Sequence, residues 1–147
     1  MNNNLKVWKL LLARSEEDLS EAQRMLSRAQ QEWSQIAEQR EKLFRIRVEY
    51  LKQLSDGDGV IGPSDRLLLF RNFIVHLDQT ISVVEKKLSD ATKTKASFKA
   101  KYDRQLRVCR KYEALRDRAI SHLQKELETK ENKERDLYNL SRFNANR

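Results

Sequence analysis

From Leu5 onward the apolar positions recur at alternating steps of three and four. Leu5, Leu12, Leu19, Leu26 and Trp33 form one seven-residue series, and Trp8, Ser15, Ala22, Ala29 and Ile36 form its companion. The two series fall on one stripe of a helix, the spacing of a coiled-coil seam. The residues between them are mostly Glu, Gln, Arg, Lys and Ser, which suit an exposed helical face. Past Ile36 the stripe widens, because Leu43, Phe44, Ile46, Val48, Tyr50, Leu51 and Leu54 are all apolar. A second pair of series follows: Leu67, Ile74, Ile81, Leu88, Lys95, Tyr102 and Cys109, with Phe70, Leu77, Val84, Ala91, Phe98, Gln105 and Tyr112. It is apolar to Ala91 and mixed afterwards. Beyond about residue 114 charged residues take seam positions, among them Arg116, Glu126, Lys130 and Lys133, although Leu115, Ala119, Leu123 and Leu127 keep an i,i+4 row.

Between the two patterns lies SDGDGVIGPS, which holds all three glycines (Gly57, Gly59, Gly62) and the only proline, Pro63. Glycine admits positive φ, and proline breaks the helical hydrogen-bond ladder, so the chain has one place to turn. The pattern predicts an all-α fold of a single domain, 1–147: a helix over 5–55, a turn over 56–63 and a longer helix over 64–140. A short turn forces the helices into an antiparallel coiled-coil hairpin. Asn4 is the expected N-cap of the first helix and Ser64 of the second, with Asp65 in the first turn where the helix dipole favours negative charge. Glu38–Lys42 and Glu41–Arg45 have the spacing of favourable i,i+4 pairs. With the apex near residue 59 or 60, Leu54 is expected opposite Asp65 and Leu5 opposite Ala114. The last residues, NLSRFNANR, are expected to fray.

Composition fits a long helical hairpin better than a thick globular core: 35% of residues are charged, 39% are apolar, and mean hydropathy is -0.82. Cys109 is the only cysteine, so no intrachain disulfide forms. No apolar run approaches the ~18 residues that span a bilayer, and the N-terminal residues do not read as a signal peptide. The formal charge of +8 is unevenly placed. Residues 1–91 carry 14 basic and 14 acidic groups, 92–118 carry 10 and 3, and 119–147 carry 6 and 5. The imbalance therefore sits in the middle of the second helix.

The residues offer no catalytic constellation. His76 and His122 have no cluster of ligands at metal spacing, Cys109 falls on the seam, and GDGVIG lacks the GK[ST] of a phosphate loop. The expectation is a non-enzyme without cofactor, metal or small-molecule substrate. Two surface features remain. Near the turn, residues 67–77 hold eight apolar residues in eleven and 43–54 hold seven in twelve, while a seam needs about two in seven. Phe73 and Thr80 lie beside the seam row, and Leu43, Ile46 and Tyr50 approach from the other helix, so a partner is expected there. The basic segment admits three readings: an acidic groove on a protein partner, nucleic acid, or a solvated face. Its aromatics, Phe98, Tyr102 and Tyr112, fall at seam positions and read as core rather than as stacking platforms.

The string EKLFRIRVEYLKQL, the turn SDGDGVIGPS and then LLLFRNFIVHLDQTISVVEKKL resemble the FliJ family of the bacterial flagellar type III export apparatus. Chain length, the shorter first helix and the basic balance agree over nearly the whole chain. The resemblance implies a stalk-like hairpin whose open end sits in the pore of a hexameric export ATPase. It implies an apex that contacts the membrane export-gate protein, and a role with export chaperones, in the cytoplasm at the flagellar base. Membrane association would then run through partners alone. By position, the gate contact would fall on Gln39, Leu43, Ile46, Tyr50, Phe73, Leu77, Thr80 and Val84. Ile46 stands where relatives are expected to carry an aromatic. Lys99, Lys101, Arg104, Arg107, Arg110 and Lys111, with Leu115 and Leu123, are the expected ATPase contact. The equivalent stalk of a virulence secretion system is the alternative, and a basic hairpin that binds nucleic acid is a third.

Overall fold

The computed structural model describes residues 2–56 and 64–146. Helix α1 spans Asn2–Asp56 and α2 spans Ser64–Ala145, and the fold is an all-α antiparallel hairpin. Gly57 to Pro63, the expected turn, lie outside the described residues. Packing divides the chain into a terminal unit, Met1–Ala22 with Tyr102–Arg147, and a central unit, Gln23–Lys101. Each pairs a segment of α1 with an antiparallel segment of α2.

In the terminal unit Leu12, Ser15, Ala22 and Cys109 are buried, and Trp8, Leu19, Tyr102, Gln105 and Tyr112 are half-buried. Ser15 satisfies its hydroxyl locally by donating to the Leu12 carbonyl at 2.8 Å. It also accepts from the Cys109 thiol at 3.3 Å. A polar residue thus occupies the seam without leaving an unpaired group. Trp8 and Tyr112 meet across the helices with their rings tilted 30° to each other and centroids 6.4 Å apart.

In the central unit Ala29, Leu77, Ile81 and Val84 are buried, flanked by half-buried Leu26, Trp33, Ile36, Leu43, Ile74 and Leu88. The half-polar stretch of the second seam is met by matched partners. The Trp33 indole donates to Thr92 Oγ1 at 2.9 Å, and the Lys95 ammonium lies 4.3 Å from the centre of the Trp33 ring. A lysine at a seam position therefore finds an aromatic face instead of an apolar void.

Several expectations change. Asn4 stands inside α1 rather than capping it, because the helix begins at Asn2. Some contacts are displaced by roughly a turn and a half from the expected register: Ser15 meets Cys109 and Trp33 meets Thr92. Others fall within a residue of it, Tyr50 meeting Phe70 and Trp8 meeting Tyr112, while Leu5 lies with Leu115, Ala119 and Leu123. Packing accordingly continues past residue 114, since Arg116 and Glu126 are half-buried, and ends only where every described residue from Leu127 on is exposed. Helix α2 runs to Ala145, past the expected end at residue 140, and the Asn146 N–H donates to the Arg142 carbonyl at 3.2 Å. The Glu38–Lys42 and Glu41–Arg45 pairs do not form. The ion pairs here cross between helices, Arg40–Glu85 at 3.6 Å and Arg47–Asp78 at 2.6 Å. Exposed i,i+4 pairs gain only about 0.3–0.5 kcal/mol, too little to fix long side chains.

One expectation fails by composition. A stretch of 18 residues in α2 reaches mean hydropathy 1.3, apolar and long enough to cross a bilayer. It falls in LLLFRNFIVHLDQTISVV, where only Arg71 and Asp78 are charged. Its seam residues are already engaged with α1, and Asp78 pairs with Arg47. A bilayer crossing would break that pair and strand both charges in hydrocarbon.

Candidate functional site

The site begins with the seam of the central unit. Leu77 and Val84 fill it, at 6% and 4% exposure, so their side chains support a surface rather than form one. Beside the seam the helices present aromatics that the core does not absorb. Tyr50 from α1 stacks on Phe73 from α2 at 4.3 Å with 25° between planes, and its other neighbour is Phe70 at 5.7 Å. Ile46 lies one turn back on the same side of α1, 38% exposed, and Phe73 is 37% exposed. Thr80 is half-buried and donates to the His76 carbonyl at 3.0 Å. Gln39 is exposed and Leu43 half-buried, completing the row along α1. Six of the eight expected gate residues therefore reach the surface on one flank, and two lie beneath it.

The other flank of the same unit is also apolar. Tyr50, Leu51, Leu54, Phe70, Arg71, Ile74 and Val75 line an open groove of about 280 Å³. Sequence reasoning counted these residues as surplus without assigning them a side. The flank each one occupies depends on the register, which the sequence left ambiguous.

The expected ATPase residues divide between the units. Lys99 and Lys101 belong to the central unit, and both are exposed. Arg104, Arg107, Arg110 and Lys111 belong to the terminal unit and are exposed, with Leu115 and Leu123 half-buried. The spacing of Arg104, Arg107 and Lys111, three then four, sets them on one face of α2. The ion pairs described in the terminal unit are Arg116–Asp117 at 3.0 Å and His122–Glu126 at 3.2 Å. None of them neutralises that face. Leu115 and Leu123, with Asn4, Leu5, Trp8, Arg118, Ala119, His122 and Glu126, line a groove of about 330 Å³. Among the described residues no three His, Cys, Asp or Glu gather at metal-binding distance. The arrangement offers surfaces for macromolecules: an aromatic flank, a basic face and apolar grooves.

Sequence reasoning missed the start of α1. Val7 and Leu10 point away from the seam, 48% and 70% exposed. The signal was present, since LKVWKLLL carries six apolar residues in eight, twice the number that its seam uses, Leu5, Trp8 and Leu12. It was obscured because the regular heptad ran through it.

No curated protein and no solved structure matches the chain. The family described as Flagellar FliJ protein matches residues 8–147, nearly the whole length. With the helical hairpin and the residue pattern around its two apolar strings, that match shows that the chain belongs to the FliJ family of flagellar export proteins.

Proposed function

We propose that this chain is a non-enzymatic stalk and adaptor of flagellar protein export. Its terminal unit enters the hexameric export ATPase and regulates it, and its aromatic flank docks on the membrane export-gate protein. Export chaperones are handled by the same adaptor, which lies in the cytoplasm against the inner membrane at the flagellar base. The observation that carries the reading is the flank of Ile46, Tyr50 and Phe73 in a chain of this family: apolar, on one side, and more than two helices need to cover each other. Gln39, Leu43 and Thr80 extend the flank, while Leu77 and Val84 hold it from below. Lys99, Lys101, Arg104, Arg107, Arg110 and Lys111 steer association with the ATPase, and Leu115 and Leu123 supply apolar contact. The family match favours the flagellar system over a virulence-type one.

The test is binding of the purified chain to the export ATPase and to the cytoplasmic part of the gate protein. Tyr50→Ala with Phe73→Ala is expected to weaken gate binding while ATPase binding and helicity persist. Loss of helicity in that variant would make the pair core and remove the site. A second reading rests on the basic face: nucleic acid. It predicts an affinity that falls steeply with salt for any duplex.

A further inference from the structure

In the central unit a ladder of polar contacts joins the helices at steps of seven. The Trp33 indole donates to Thr92, Arg40 pairs with Glu85, and Arg47 pairs with Asp78. Seven residues forward on α1 thus match seven residues back on α2, as flanking positions of an antiparallel coiled coil do. The next rung sets Leu54 of α1 against Arg71 of α2, and both line one groove of about 280 Å³. Here the arginine comes from α2, and α1 offers it an aliphatic side chain where a carboxylate would complete the pair. Its own helix offers none either: three and four positions away stand Leu67, Leu68, Ile74 and Val75. Arg71 forms no ion pair or hydrogen bond with another described residue. It is the one charged side chain among the described residues that line the groove. Beside it Leu51 and Val75 are exposed, Val75 to 56%. Phe73 stands two residues from both Arg71 and Val75 and faces away from them, so this groove and the Tyr50–Phe73 stack lie on different flanks.

We propose that this groove receives a helix of an export chaperone: an aliphatic side chain seats against Ile74 and Val75, and a carboxylate completes the rung with Arg71. Charge complementarity fixes the chemistry of the occupant. The acids on the same face of α2, Asp78 and Glu85, are already paired with Arg47 and Arg40, which leaves Arg71 as the cation without a counterpart. A single cation at an apolar groove suits one carboxylate, and arginine binds carboxylates in a planar, two-pronged geometry. A duplex or an anionic bilayer needs a field of cations, and this face alternates in sign instead. Arg71 and Val75 stand one turn apart, so a helix with its carboxylate and its aliphatic side chain one turn apart meets both at once. In the proposed function, on which the choice of partner rests, the gate protein takes the Tyr50–Phe73 flank and the ATPase takes the terminal unit. An export chaperone is the partner left without a surface.

The test measures binding of the full chain to each purified export chaperone and to the cytoplasmic part of the gate protein, at low and high salt. Arg71→Glu is expected to weaken chaperone binding roughly tenfold at low salt and less at high salt. Val75→Gln is expected to weaken it about threefold at both, the loss of one seated aliphatic contact. Both side chains are exposed, so circular dichroism is expected to stay unchanged, and gate binding with it. Unchanged chaperone binding in both variants overturns the groove and leaves the adaptor reading standing. A loss in Val75→Gln alone overturns the carboxylate. Equal losses toward the gate protein make the groove part of the gate site and overturn a separate partner. A wild-type chain that binds no export chaperone overturns the groove's occupant together with the chaperone part of the proposed function. Light scattering that shows a wild-type dimer and an Arg71→Glu monomer gives the groove to a second copy and overturns the chaperone.

Discussion

Leu77 and Ile46 belong to the same unit but differ widely in burial, and their truncation separates scaffold from surface. Leu77 is 6% exposed and Ile46 is 38% exposed. Leu77→Ala removes three buried carbons, about 2.4 kcal/mol at ~0.8 kcal/mol per CH₂. The cavity contribution lies near its lower limit, because a seam between two helices can close on a small void, so the total is about 2.5–3 kcal/mol. At ~2–4 °C per kcal/mol for a chain of this size, Tm falls by about 5–10 °C. Ile46→Ala removes as many carbons from a position that water already reaches, at about 1 kcal/mol. The assay is urea denaturation followed by circular dichroism, paired with binding to the gate protein well below both midpoints. Leu77→Ala is expected to move the midpoint two to three times as far as Ile46→Ala and to leave affinity unchanged, and Ile46→Ala to weaken binding. A Leu77→Ala variant with an unshifted midpoint and weakened binding would refute the division between supporting core and docking flank.

Two further outcomes follow from the packing. A double-mutant cycle on Arg47 and Asp78 is expected to give a coupling below about 1 kcal/mol that shrinks with salt, since both side chains are more than a third exposed despite their 2.6 Å contact; a larger, salt-independent coupling would mean that a partner or neighbour desolvates the pair. Every described residue from Leu127 to Asn146 is exposed, so this part of α2 buries little surface. Its amides are expected to exchange far faster than those of 102–123, and equal protection in hydrogen exchange would show that the stretch is covered in solution.

The seam was legible because its physics is local. Both seven-residue series in α1, and the apolar part of those in α2, are buried or half-buried where the spacing put them, down to Ser15 and Cys109. The surplus near Tyr50 and Phe73 was legible for the same reason: counting apolar residues against what a seam needs requires no coordinates. The surface pairs were not legible. Glu38 and Lys42 have suitable spacing, yet Arg40 reaches across to Glu85 instead. Spacing along one helix does not rank such pairs against partners on the other helix.

Register was the other loss, and its cause is the repeat itself. A heptad pattern says which face of a helix is buried, but it looks the same from one turn to the next, so it cannot choose the opposing residue. What distinguishes one register from another is the set of positions where the pattern is broken. Ser15, whose hydroxyl already donates to the Leu12 carbonyl, also accepts from the Cys109 thiol. Lys95 needs somewhere to place an ammonium and finds the Trp33 ring, whose own N–H is taken by Thr92. Sliding α2 by one turn would take Cys109 from Ser15 and leave Lys95 without its aromatic face and the Trp33 N–H without Thr92. The apolar positions therefore drive the helices together. The few polar seam positions, which weaken the sequence pattern most, select the alignment that sets Tyr50 on Phe73 and Trp8 beside Tyr112, and with it the makeup of the aromatic flank and of the terminal groove.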